Sequence, residues 1–133
     1  MYIDDEEISL GRKAGESNYE TAYNASVVTS AGMKSIAVGY AASATGNYSS
    51  SFGSSTVAAG IDSHAEGRSS KAYGEASHAE GVDTQASGDF SHAEGDHTTA
   101  SGDKSHAGGY YSSTNGKIGA FTHGSHVVAQ ADY

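Results

Sequence analysis

The sequence has no cysteine, no proline and no tryptophan, and its single leucine is Leu10. Without cysteine, disulfides and thiol chemistry are excluded and the redox compartment stays open. Phenylalanine occurs 3 times in 133 residues, so an ordinary core of large apolar side chains is out of reach. Basic residues are also scarce: 7 Lys and Arg face 16 Asp and Glu, for a net charge of −9. This balance argues against nucleic acid as a partner, because phosphates attract basic faces, and against anionic membrane surfaces. No stretch approaches the ~20 apolar residues that cross a bilayer, so no membrane insertion is expected. The segment from Met1 to Glu7 is acidic where a signal peptide would be basic and then apolar, so no leader is expected in the chain as it stands. Low hydrophobicity combined with high net charge ordinarily means disorder, since too little apolar area is available to offset chain entropy.

A strict period overrides that reading. The pentapeptide Ser63-His64-Ala65-Glu66-Gly67 recurs as Ser77-His78-Ala79-Glu80-Gly81, Ser91-His92-Ala93-Glu94-Gly95 and Ser105-His106-Ala107-Gly108-Gly109, each 14 residues after the last. The register runs back through Ser49-Ser50-Ser51-Phe52-Gly53, Ser35-Ile36-Ala37-Val38-Gly39 and, faintly, Glu7-Ile8-Ser9-Leu10-Gly11. A period of this kind sets the architecture before local propensity is weighed. Gly39, Gly53, Gly67, Gly81, Gly95 and Gly109 form one glycine column, and Gly46, Gly60, Gly74, Gly88, Gly102 and Gly116 form a second midway between. Taken as coil corners, these columns split each repeat into two arms of about five residues, which suits a short strand and not a helix. The expected fold is all-β: a β-solenoid whose coils stack at roughly 4.8 Å, with eight or nine coils forming a rod on the order of 40 Å long. Residues 1–10 are expected to be a leader or capping segment and 11–133 the solenoid, clearest over 35–116. The run Gly119-Ala120-Phe121-Thr122-His123-Gly124 arrives one residue late, which predicts a bulge or longer turn at one corner.

Side chains alternate across a strand, so each arm has an inner and an outer face. Two alanine ladders mark the inside: Ala37, Ala65, Ala79, Ala93 and Ala107 from the first arm, and Ala44, Ala58, Ala72, Ala86 and Ala100 from the second. The outer face of the second arm varies (Ser43, Val57, Lys71, Gln85, Thr99) and should be solvated. On the first arm the outer positions hold His64, Glu66, His78, Glu80, His92, Glu94 and His106, with Ile36 and Val38 in the same columns. Such constancy implies that each coil meets the same neighbour, and the apolar pair implies that this neighbour excludes water. A thin interior of small side chains also calls for association, and cyclic symmetry fits parallel chains in register. Composition leaves two or three copies open. Each imidazole is expected to bond a carboxylate, on a neighbouring chain, which would raise its pKa; desolvation would lower it instead.

Other chemistry is weaker. Seven histidines invite a metal, but the motif histidines recur once per coil, whereas an isolated site needs one set; His123-Gly124-Ser125-His126 is a weak ligand pair. Adjacent Ser and His in one motif point to opposite faces, so the His cannot serve that Ser as a base, and no catalytic residue is expected. Asp83, Asp89, Asp96 and Asp103 do not fit the calcium-binding nonapeptide spacing and are expected to be solvated corners. Thr56, Thr84 and Thr98 point inward and so cannot form an ice-binding face. Tyr2, Tyr19, Tyr23, Tyr40 and Tyr48 towards one end, and Tyr110, Tyr111 and Tyr133 at the other, suit end caps or glycan stacking.

The stretch from Ser35 to Gly46, with its small residue between two apolar ones and both glycines, resembles the 14-residue head repeat of the trimeric autotransporter adhesins, the YadA-like head. The Ser-His-Ala-Glu-Gly units resemble a variant of that repeat found in phage tail and tail-fibre proteins. The resemblance covers roughly residues 7 to 128, with Ala25 standing where a motif glycine would fall. It implies a left-handed parallel β-roll, three chains wound as a homotrimer with His64 to His106, Ile36 and Val38 at the interface, and a structural or attachment role without a cofactor. The expected function is a segment of a phage tail fibre or receptor-binding appendage in the virion, with a cell-surface glycan or protein as receptor. The alternative is a bacterial surface adhesin head that binds host matrix or glycan.

Overall fold

The computed structural model describes residues 30–131 throughout and, before them, only the backbone of Tyr2–Ile3, Ile8–Ser9 and Thr29. Expectations for residues 11–28 and for Tyr19, Tyr23, Ala25 and Tyr133 lie outside the described residues. Tyr2–Ile3 (β1) and Ile8–Ser9 (β2) pair antiparallel as a two-stranded sheet of their own, so the faint repeat at Ile8 does not run parallel to a coil.

From Thr29 onward the chain alternates short and long strands: Thr29–Ser30 (β3), Ile36–Tyr40 (β4), Ser43–Ala44 (β5), Ser50–Ser54 (β6), Val57–Ala58 (β7), His64–Arg68 (β8), Lys71–Ala72 (β9), His78–Val82 (β10), Gln85–Ala86 (β11), His92–Asp96 (β12), Thr99–Ala100 (β13), His106–Tyr110 (β14) and Phe121–Ser125 (β15). The long strands form a seven-stranded parallel sheet in the order β15-β14-β12-β10-β8-β6-β4, and the short ones a six-stranded sheet in the order β13-β11-β9-β7-β5-β3. This is an all-β parallel solenoid. Like residues stack on like at one repeat, for example His64, His78 and His92, or Ala72 and Ala86. The arms are unequal, five residues against two, because the long strand runs on past the first-column glycine, as His64–Arg68 does past Gly67, and leaves Lys71–Ala72 to the short arm.

The interior is made of methyl and hydroxyl groups. Ala44, Ala58, Ala65, Ala72, Ala79, Ala86, Ala93, Ala100 and Ala107 are all fully buried and Ala37 is nearly so. Thr56, Ser70, Thr84 and Thr98 lie beside them, also buried. Ser63, Ser77, Ser91 and Ser105 close the other edge by donating to the carbonyls of Gly60, Gly74, Gly88 and Gly102 at 2.5–2.8 Å. A hydroxyl that hydrogen-bonds its own turn can be buried in so thin a core at little cost, whereas Thr84 Oγ1 is buried without a hydrogen-bond partner among the described residues.

The corners differ from the sequence expectation in three ways. Gly39, Gly53, Gly67, Gly81, Gly95 and Gly109 lie inside the long strands and not at corners, with φ between 97 and 131°. They are needed because coils touch there: a Cβ built on Gly81 would lie 2.1 Å from the carbonyl oxygen of Gly95. The corner comes two residues later, at Ala41, Ser55, Ser69, Asp83, His97 and Tyr111, all left-handed with φ of 51–58°. A non-glycine residue there costs about 1 kcal/mol. That cost is offset by a backbone bond to the previous coil, such as Ser69 N to Ser54 O at 2.8 Å. The second column (Gly46, Gly60, Gly74, Gly88, Gly102) does open a turn, seen in Ser77 N donating to Gly74 O. Gly116 is the exception. Lys117 takes the level facing Gly102, and Asn115 and Gly116 form the inserted bulge with φ of 51 and 71°. After it the stacking offset grows by one, so that His106 pairs with Phe121.

Candidate functional face

The outer face of the seven-stranded sheet carries two side-chain columns two residues apart on each strand. The first runs Ile36, Ser50, His64, His78, His92, His106, Phe121. The second contains Val38, Phe52, Glu66, Glu80 and Glu94. Parallel in-register pairing stacks the imidazoles at the coil spacing, with ring centroids of successive motif histidines 4.8–4.9 Å apart. His78 and His92 lie face to face at 3°, whereas the pairs on either side of them meet edge to face. Phe52 closes one end of the ring stack and Phe121 the other.

Each glutamate reaches a histidine of the next coil of the same chain. Glu66 Oε1 is 3.7 Å from His78 Nε2, Glu80 Oε1 is 3.2 Å from His92 Nε2, and Glu94 Oε1 is 3.3 Å from His106 Nε2. The carboxylates expected from a neighbouring chain are thus supplied by the neighbouring coil. At 3.7 Å the Glu66 contact is too long for a hydrogen bond, and His78 Nε2, itself shielded from solvent, makes none among the described residues.

Burial lowers the pKa of His78, and the flanking His92 and His64 lower it further against the opposing pull of Glu80 and Glu66. His106 is lowered too, by burial first and then by His92, with Glu94 opposing. For these two residues desolvation and like-charge stacking outweigh carboxylate pairing, so the expected upward shift is corrected. The pH dependence follows from that sign. The unfolded imidazole titrates near pH ~6.5; below it the unfolded chain takes up protons that the folded His78 refuses. Stability is therefore undiminished above about pH 6.5 and falls as pH drops from there towards the lower folded pKa. Melting curves between about pH 4.5 and 8 should show the midpoint falling on acidification through pH 6.5, and less steeply in His78→Gln. A maximum near pH 5–6 would mean that pairing controls the column.

Sequence reading did not find the hydrogen bond between Ser50 Oγ and His64 Nδ1, 2.6 Å long, which ends the ladder on its β6 side. Its signal was available: Ser50 stands in the histidine column one repeat before His64. Within a motif, Ser77 is buried while His78 faces outward, so the two do not meet. Asp89 and Asp103 hold the turns of preceding coils, accepting from the backbone N–H of Glu75 at 2.8 Å and of Asp89 at 3.0 Å. At one corner column His97, Tyr111 and His126 stack at 4.5 and 5.5 Å, with Tyr110 set edge-on against Tyr111. Tyr40, Tyr48, Tyr110 and Tyr111 are all exposed. Among the described residues no helix is long and apolar enough to cross a membrane.

These features define a parallel β-solenoid repeat protein with one chemically uniform face. Residues 30–56 and 93–113 match the family model of the YadA head domain repeat, so the coils within those two stretches are YadA-like head repeats. No curated protein matches the chain.

Proposed function

We propose that the chain is a non-enzymatic structural and attachment module, in which three copies wind in parallel as a left-handed trimeric roll within a phage tail fibre or related receptor-binding appendage. The observation that carries this reading is the uniform His/Glu face bounded by Ile36, Val38, Phe52 and Phe121. Ile36 and Phe121 are 43% and 67% exposed on a single chain, which is how a face looks when its cover is another molecule. A second copy turned about the rod axis presents the same columns at the same 14-residue repeat. The Ser-His-Ala-Glu-Gly run favours the phage appendage; the second reading, the head of a bacterial adhesin that meets host matrix or glycan, draws on the same head-repeat match, which covers coils of both kinds at residues 30–56 and 93–113. The separation of Ser77 from His78 supports a role without catalysis.

An antibody raised against the chain separates the two settings. Immunogold labelling of fibres on phage particles supports the first, and labelling of intact, uninfected cells supports the adhesin. Label in the cell interior alone would overturn both.

A further inference from the structure

The glutamate column has one interruption. In the fourth motif its place is taken by Gly108, and β15, one register step late, brings His123 opposite. The missing side chain makes the room: a Cβ on Gly108 would lie 2.4 Å from His123 Nδ1 and 3.1 Å from Glu94 Oε1. Glu94 Oε1 consequently faces two imidazole nitrogens, His106 Nε2 at 3.3 Å and His123 Nδ1 at 3.7 Å. All three donor atoms lie within 4.8 Å of one another.

We propose that Glu94, His106 and His123 form a binding site for one divalent transition-metal ion of the zinc type in each chain. Two imidazoles and a carboxylate are a donor set that such ions take. Tetrahedral bonds of about 2.0–2.1 Å place donors about 3.3 Å apart, which Glu94 and His106 already satisfy; His123, 3.7 Å from Glu94 Oε1 and within 4.8 Å of His106 Nε2, closes on both by a shift of its exposed ring. The repetition that argues against a metal at the motif histidines does not reach this cluster, since its third member comes from outside the motif. The clusters His64/Glu66/His78 and His78/Glu80/His92 share His78 and so cannot both be filled, whereas this one stands apart. Its donors sit on β12, β14 and β15, so an ion would fasten the displaced last strand to the two before it, across the single bulge in the array.

The test is titration of the chelator-treated full chain with zinc by calorimetry, with metal content and melting temperature measured alongside. The expected result is one zinc per chain and a raised melting temperature. His123→Ala, at a residue that is mostly exposed, should abolish binding. Gly108→Ala should weaken it at least tenfold although it removes no ligand, because the new methyl displaces the His123 ring; Gly108 has no positive φ, so the backbone accepts alanine. Lys71→Ala, on the outer face of the short arm, should leave stoichiometry and affinity unchanged. Absence of saturable binding, more than one site per chain, or full binding in His123→Ala would overturn the proposal. The site lies within one chain, so its failure would leave the trimer reading untouched.

Discussion

Gly81→Ala should abolish the cooperative fold or cost more than about 4 kcal/mol per chain, a size of effect confined to a few mechanisms. Two of them coincide here. The residue holds φ of 113°, which an L side chain rarely adopts, and its Cβ would lie 2.1 Å from the carbonyl oxygen of Gly95 and 3.0 Å from that residue's N and C. The obstacle is backbone and not a flexible side chain. The coils above and below are bonded on both arms, so the gap cannot widen without breaking a ladder. Gly116→Ala is the control: at φ of 71° nothing lies within 4 Å of its Cβ, and only about 1–2 kcal/mol of backbone strain is expected. Denaturant unfolding followed by circular dichroism compares the two. Equal midpoints would contradict the account of why glycine stands inside the strand.

Ala79→Leu should be the next most damaging change. Ala79 is fully buried between Ala65 and Ala93 in one sheet, and the opposite ladder includes Ala72 and Ala86. Three extra carbons in a core built of methyl groups force backbone movement, at about 1–3 kcal/mol per chain. Lys71→Leu, on the half-exposed outer face of the short arm, changes no buried volume and should leave the melting temperature within a degree or two. Equal losses in both variants would refute the assignment of inside and outside.

Much of this architecture is legible in the sequence because stacking turns a spatial column into a period. Once coils lie in register, each position sees the same surroundings, so Ala58, Ala72, Ala86 and Ala100 read as one interior ladder without any structure. The late arrival of Phe121 likewise betrays the inserted residue. The corners are less legible because backbone hydrogen bonds, not residue type, hold them: Ala76, Phe90 and Lys104 share one left-handed conformation with φ of 49–59° and nothing in common chemically. Glycine misled for the opposite reason. At Gly67 and Gly81 it answers close approach between coils, which in a sequence looks the same as a turn. The sign of the histidine shift was not readable either. It depends on rings 4.8–4.9 Å apart competing with glutamates at 3.2–3.7 Å, and a repeat motif fixes neither distance. His123 could have been found from the one place where the motif exchanges glutamate for glycine.

In the proposed assembly the His/Glu face of each chain is covered by two other copies. The mass of the untagged chain in native mass spectrometry, checked by sedimentation at micromolar concentration, tests it most directly. The expected result is a single species of three times the 13.5 kDa chain mass, with no folded monomer accumulating on dilution or during unfolding. A folded, stable monomer under those conditions would contradict it.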